Sequence, residues 1–330
     1  HEFRLHLMKL HPRFPQDRPL PLHRALPHLA LLTAMCFWGS TFIALRVALT
    51  ALTPMTVMAG RMLVACLLLL PLWPRFFREI SRCRQWKTLG LLALCEPCLY
   101  FLFETHALQL TSASQAGMIT ALLPLLVAAT AFVFLGERTG TRMWLGFALA
   151  VTGVAGITLS AESGPSAVNP VLGNLLQGVA MVCAAGYTVL VRRLADAYSP
   201  LCIVAAQSAV GLLFFSLLVL LPVQGGISVD LGRDFPWWAA WACVGYLGGV
   251  VTFAGYGLYN FGVIRLSAGR AAAYTNLIPV FALIFGVWLL DERLTLVQYA
   301  AAALTAAGVL LSQWRSPVVL QARDSSPSRR

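Results

Sequence analysis

Residues 112–138 read SASQAGMITALLPLLVAATAFVFLGER, and residues 267–293 read SAGRAAAYTNLIPVFALIFGVWLLDER. The two stretches lie 155 positions apart. Pro124 stands opposite Pro279, Glu137-Arg138 opposite Glu292-Arg293 and, further along the same register, Gly153 opposite Gly308. Each stretch is long and apolar enough to cross a bilayer as a helix, and each carries a proline in mid-helix. An apolar unit written twice in this way is the pattern of a membrane carrier built from internal repeats.

Composition agrees with a membrane class. The chain of 330 residues is 58% hydrophobic and 11% charged, with a mean hydropathy of +0.75. Soluble domains carry about 25% charged residues, so a soluble fold could not hide this much apolar surface. The net charge of +11 does not imply nucleic acid as a partner, because the basic residues sit in short segments between apolar runs, where they act as topology signals. Seven of the eight cysteines, all but Cys83, lie inside apolar segments. They are expected to be small buried hydrophobes rather than a disulfide scaffold. Cys95-x-x-Cys98 lacks companion ligands, so neither a metal nor a cofactor is expected. No cleavable leader is expected, and His1-Glu2-Phe3 reads as a vector-derived addition with Met8 as the native start.

Ten segments are long enough to span, at about 20 residues each: roughly 28–50, 54–73, 87–109, 112–134, 141–160, 171–193, 200–222, 236–263, 268–290 and 295–314. Counting lysine and arginine on alternate sides puts 20 on the side of the termini and two, Arg233 and Arg293, on the other; Arg46 and Arg61 fall within spans. The positive-inside rule then predicts a multi-pass protein of the bacterial inner membrane with both termini cytoplasmic. The expected division is a cytoplasmic tail over 1–27, a first five-helix repeat over 28–160, a linker over 161–170, a second repeat over 171–314 and a tail over 315–330. Because each unit has an odd number of spans, the second is inverted relative to the first. The predicted fold is therefore all-α, ten transmembrane helices in two inverted five-helix repeats around a central cavity. A weaker match, at an offset of 147, pairs Gly39 with Gly186, Thr41 with Thr188 and Arg46 with Arg193.

Phe37-Trp38-Gly39-Ser40-Thr41 in the first span, the two Pro…Glu-Arg stretches and the Gly153/Gly308 pair together resemble the EamA-type drug/metabolite transporter superfamily over residues 28–314. The resemblance implies a central cavity lined by helices 1, 3, 4, 6, 8 and 9, as in the family's amino-acid and metabolite exporters.

Ionisable groups at membrane depth point most directly to a site, since each costs about 2.5–3.5 kcal/mol to insert near the bilayer centre. Glu96 lies about 13 Å into the third span, and Glu104 sits eight residues further, about 80° around the helix. Both can face a cavity, to bind a cationic amine or a proton, or can be structural carboxylates. Arg61 is expected in an ion pair, with Glu104 as one partner, or as a clamp for a substrate carboxylate. Arg46 is expected to snorkel to the outer interface. Pro124 and Pro279 are candidate hinges or packing kinks, and Pro97 is expected to bend the third helix beside Glu96. Trp38, Tyr100, Tyr187, Tyr256, Tyr259, Asn260, Tyr274 and Asn276 are candidate cavity residues suited to an organic substrate with apolar and polar parts. Trp237, Trp238 and Trp241 read as an interfacial belt. The Glu-Arg ends read as caps or salt bridges.

These features predict a monomeric secondary exporter of small organic metabolites, amino acids first, working by alternating access in the lipid bilayer, with protons as an open coupling partner. The alternatives are an exporter of cationic drugs or dyes and, more remotely, a membrane-embedded enzyme or a channel. The short, bare loops lack nucleophile and metal-ligand clusters, and no filter motif is visible.

Overall fold

The computed structural model describes residues 21–82, 85–135, 140–164, 167–194, 197–221, 229–265 and 274–313. Among these, eight helices are long and apolar enough to cross a membrane, and two shorter apolar helices complete a set of ten. They are α1 (Ala25–Ala48), α2 (Pro54–Ser81), α3 (Trp86–Leu110), α4 (Ala113–Thr130), α5 (Thr141–Leu159), α6 (Pro170–Val191), α7 (Leu201–Val219), α8 (Trp237–Tyr259), α9 (Thr275–Leu289) and α10 (Leu296–Ser312).

Local sequence explains where several of them start. Thr53 accepts a hydrogen bond from the Thr56 backbone N–H, with Pro54 in the first turn. Ser199 accepts from Cys202 N–H, with Pro200 in the first turn. Ser112 accepts from Gln115 N–H. A small hydroxyl residue, followed in two of these cases by proline, is the usual N-terminal signal, because the side chain satisfies an orphan donor where proline needs none.

The regular helices are interrupted at matching places. In α3 the turn widens over Leu94–Leu99, and the Glu96 backbone there is extended, with φ −147° and ψ 120°. In α8 it widens over Leu247–Ala254. In α4 it tightens over Thr120–Leu122, and at the start of α9 over Thr275–Leu277. Pro124 and Pro279 each fall in the turn that follows the tightened segment. Proline lacks the N–H that a continuing helix would need, which gives the breaks at Pro97, Pro124 and Pro279 a local cause; the widened turn of α8 holds no proline.

The segment after the second span, expected as a loop, is helical. The crossing part of α2, Pro54–Leu69, runs on into an amphipathic stretch, Trp73–Arg82. Trp73, Phe76 and Ile80 pack against Leu194, Tyr198 and Ile203 of the other half of the chain. Glu79 accepts hydrogen bonds from Ser199 N–H and Ser199 Oγ, both at 2.9 Å. The charges in this stretch disguised a helical spacing of aromatic and aliphatic residues.

The expected Gly153 and Gly308 land in one interface, where α5 crosses α10. A Cβ at Gly146 would sit 2.5 Å from the Gly308 carbonyl oxygen, and one at Gly308 would sit 2.6 Å from the Gly146 carbonyl. Only glycine allows that approach, as is common where helices meet in lipid. Large apolar side chains such as Leu63, Leu67, Leu213, Leu217, Trp237 and Trp238 are exposed, the surface a bilayer would cover.

Candidate functional site

Near the middle of α3 the broken helix presents Glu96. The side chain is 8% exposed, and its Oε1 accepts a hydrogen bond of 2.5 Å from the Tyr256 hydroxyl of α8. The extended backbone at Glu96 takes its carbonyl out of the helical ladder, and Gln207 Nε2 of α7 donates to that oxygen at 3.0 Å. The Tyr187 hydroxyl of α6 in turn donates to Gln207 Oε1 at 3.4 Å. Trp38 of α1 packs its ring on Tyr256 (centroids 5.2 Å apart) and Tyr259 (5.0 Å). A freed backbone group at membrane depth must find a partner inside the protein, and here the Gln207 side chain of α7 supplies it.

Arg61 and Glu104 complete the cluster. Arg61 is 3% exposed. Its Nε donates to Thr252 Oγ1 at 2.9 Å, and its guanidinium lies 4.1 Å from the centroid of the Phe101 ring. Thr252 in turn donates to the Leu247 carbonyl at 2.8 Å, within the widened turn of α8. Glu104 is 1% exposed, and its Oε1 accepts from the Tyr100 hydroxyl at 2.5 Å. The expected Arg61–Glu104 ion pair is not formed. Arg61 Nη1 and Glu104 Oε2 are both buried without a hydrogen-bond partner. A buried polar group left unmade costs about 1–3 kcal/mol, and more when charged. Thr252 and Phe101 hold the guanidinium in place, which is why it does not swing onto Glu104.

A cavity opens between these elements, lined by Met62, Glu96, Pro97, Phe101, Val204, Gln207, Ser208, Thr252 and Tyr256. Its volume of about 10 Å³ suits one water molecule. The resemblance implied walls from α1, α3, α4, α6, α8 and α9. This cavity takes its wall from α2, α3, α7 and α8.

Of the residues the sequence singled out, Trp38, Arg61, Glu96, Tyr100, Glu104, Tyr187, Tyr256 and Tyr259 form one cluster, linked through Gln207, through Phe101, whose ring centroid is 5.3 Å from that of Tyr100, and across the shared cavity. Tyr274 stands apart, its hydroxyl sharing a hydrogen bond of 2.7 Å with His28 Nδ1. Asn276 is half-buried in the tightened turn ahead of Pro279. The Asn260 side chain lies outside the described residues. Thr252, Gln207 and Phe101 were missed. Gln207 and Thr252 could have been found by asking why an amide and a hydroxyl interrupt apolar spans, the test applied to charged residues.

A second polar group lies at the far ends of α1, α3 and α9. Glu292 accepts from Ala113 N–H at 2.7 Å and Ser114 N–H at 2.8 Å, capping the start of α4. Glu292 was expected as a cap, and the helix it caps belongs to the other half of the chain; its mate Glu137, with Arg138, lies outside the described residues. Arg46 does not snorkel. It is fully buried and donates to the Thr111 carbonyl. Thr111, Gln115 and Asn174 form a hydrogen-bonded set beside it.

A bundle of apolar helices that crosses the bilayer many times, with broken helices around a buried polar cluster, defines a multi-pass membrane transporter. The profile of the EamA-like transporter family matches residues 25–159 and again 171–314, and the chain belongs to that family. Its relatives are transporters and not enzymes. The uncharacterized transporter YetK of Bacillus subtilis (strain 168) is 26% identical over 293 residues, covering 86% of each chain. An uncharacterized transporter of Archaeoglobus fulgidus is 27% identical over 287 residues, 86% of this chain and 97% of that one. A protein of Streptantibioticus cattleyicolor named probable terminal-alkyne amino-acid exporter is 27% identical over 307 residues, 91% and 97% of the two chains. A crystal structure with 20% sequence identity aligns with a TM-score of 0.57, covering 87% of this chain and 96% of that one, and shares the fold.

Proposed function

We propose that this protein exports small organic metabolites, amino acids first among them, across the bacterial inner membrane by alternating access, with the Arg61–Glu96–Glu104 cluster as the substrate site. The observation that carries this reading is a buried group of both charge signs seated where two helices break. A fold that needed only stability would gain by replacing such charges with apolar side chains. The name of the Streptantibioticus relative favours amino acids within the metabolite class. The 20-to-2 distribution of basic residues supports cytoplasmic termini. A metabolite is larger than the cavity, so binding requires the widened turns of α3 and α8 to spread. Pro124 and Pro279, beside tightened turns in both repeats, are the proposed hinges.

Two carboxylates in the cluster favour a second reading, export of cationic drugs or dyes. Counterflow in liposomes separates the two. The purified full chain should exchange labelled L-leucine, L-methionine or L-phenylalanine against the same amino acid inside, and should not exchange tetraethylammonium. Exchange of the quaternary amine alone would overturn the amino-acid reading in favour of the second.

A further inference from the structure

We propose that Arg61, on a helix outside the cavity wall that the family resemblance implied, determines specificity by taking the substrate carboxylate, while the open oxygen of Glu104 takes its ammonium group. The inference rests on the reading above that the cluster is the substrate site.

The argument is one of leftover valences. A guanidinium offers five donors in a planar fork that matches a carboxylate edge. At Arg61, Nε is engaged by Thr252 Oγ1 and one face is covered by Phe101, while Nη1 has no partner. At Glu104 the Tyr100 hydroxyl occupies Oε1, and Oε2 has no partner. A structural ion pair would let the two satisfy each other. Here each is pinned by its own neutral partner, leaving one cationic donor and one anionic acceptor open within a single cluster. Thr252 and Phe101, which fix Arg61, both line the cavity, and so does Glu96, the second carboxylate. A ligand that answers both open atoms carries both an anion and a cation, as an α-amino acid does. A simple amine answers Glu104 and leaves Arg61 unmet. A simple acid does the reverse. Met62, Val204 and Phe101 supply apolar wall for a side chain.

The test compares, for whichever of L-leucine, L-methionine or L-phenylalanine exchanges fastest in liposomes, the amino acid with its carboxamide and with its decarboxylated amine. The wild-type chain should exchange the amide and the amine at least about 10-fold less well, the discrimination expected when a charge-assisted bond is lost. In Arg61→Gln, half-saturation for the amino acid should rise about 10- to 100-fold, while that for the amine moves less than about twofold. Thr252→Val, which frees the guanidinium but keeps its charge, should fall between. Equal wild-type exchange of acid, amide and amine overturns the proposal, as does an Arg61→Gln loss that is the same for all three. If Arg61→Gln does not fold, the wild-type comparison and Thr252→Val decide. Absence of exchange for every amino acid would instead remove the reading on which this one rests.

Discussion

Two clusters of buried charge in this protein are built on opposite plans. At the far end of α9, Glu292 spends both carboxylate oxygens on the two free N–H groups that open α4, and fully buried Arg46 donates to a backbone carbonyl. In the middle of the bundle, the buried carboxylate of Glu104 keeps one oxygen unmatched, and so does Arg61 one nitrogen, with no bond between the two. The first arrangement ties one half of the chain to the other. The second holds its charges ready for something that is not part of the chain. Burial alone therefore does not mark a site. What sets the centre apart is that a cation and an anion both keep an open atom in one cluster that borders a cavity.

Substitutions should expose that contrast, beginning with the centre. Glu104→Gln keeps the shape and the Tyr100 contact but removes the charge. Amino-acid exchange should weaken about 10- to 100-fold while the yield of folded protein stays near wild type; a collapse of folding with no specific transport defect would move Glu104 into the structural class. The opposite pattern is expected at the far end. Arg46→Met should lower stability by about 1–3 kcal/mol, since it strands the Thr111 carbonyl, and leave half-saturation unchanged in the protein that folds. A changed substrate preference there would erase the distinction between the clusters. Gly308→Ala, remote from both, should cost about 1–3 kcal/mol through overpacking against Ala150 and Gly146, read as a lower denaturation midpoint in detergent. The double change Pro124→Ala with Pro279→Ala should slow turnover severalfold with little change in half-saturation, and wild-type rates would discard the hinges. The subtlest test is the pH profile of exchange, which should flatten in Glu96→Gln if that carboxylate carries a proton; an unchanged profile removes it from coupling.

Much of this was legible in the sequence because it was written in repeats. The 155-residue offset that pairs Pro124 with Pro279 also pairs the tightened turns before them, and Gly153 and Gly308 meet in one interface because small residues mark close approach. Glu96 beside Pro97 announced a broken helix, since proline cannot continue the ladder. What the sequence did not disclose was partnership. Hydropathy gives depth along a helix but not which neighbour a side chain meets. Arg46 near the end of a span fits snorkelling or burial equally well, and only packing against Thr111 decides. Arg61 looked like a mate for Glu104 because their depths agree; Thr252, an inconspicuous hydroxyl in an apolar run, holds it elsewhere. The amphipathic stretch after α2 was hidden by its arginines, whose aromatic neighbours at helical spacing carry the signal.

The central claim is that the cluster between α3 and α8 is the place a substrate occupies on its way across. Ser208 lines the cavity there. In a variant lacking the native cysteines, Ser208→Cys should react with a membrane-impermeant thiol reagent from either face of the vesicle during exchange, and a saturating amino-acid substrate should block the reaction from both. Labelling that substrate does not affect, or no labelling from either face, would contradict the account.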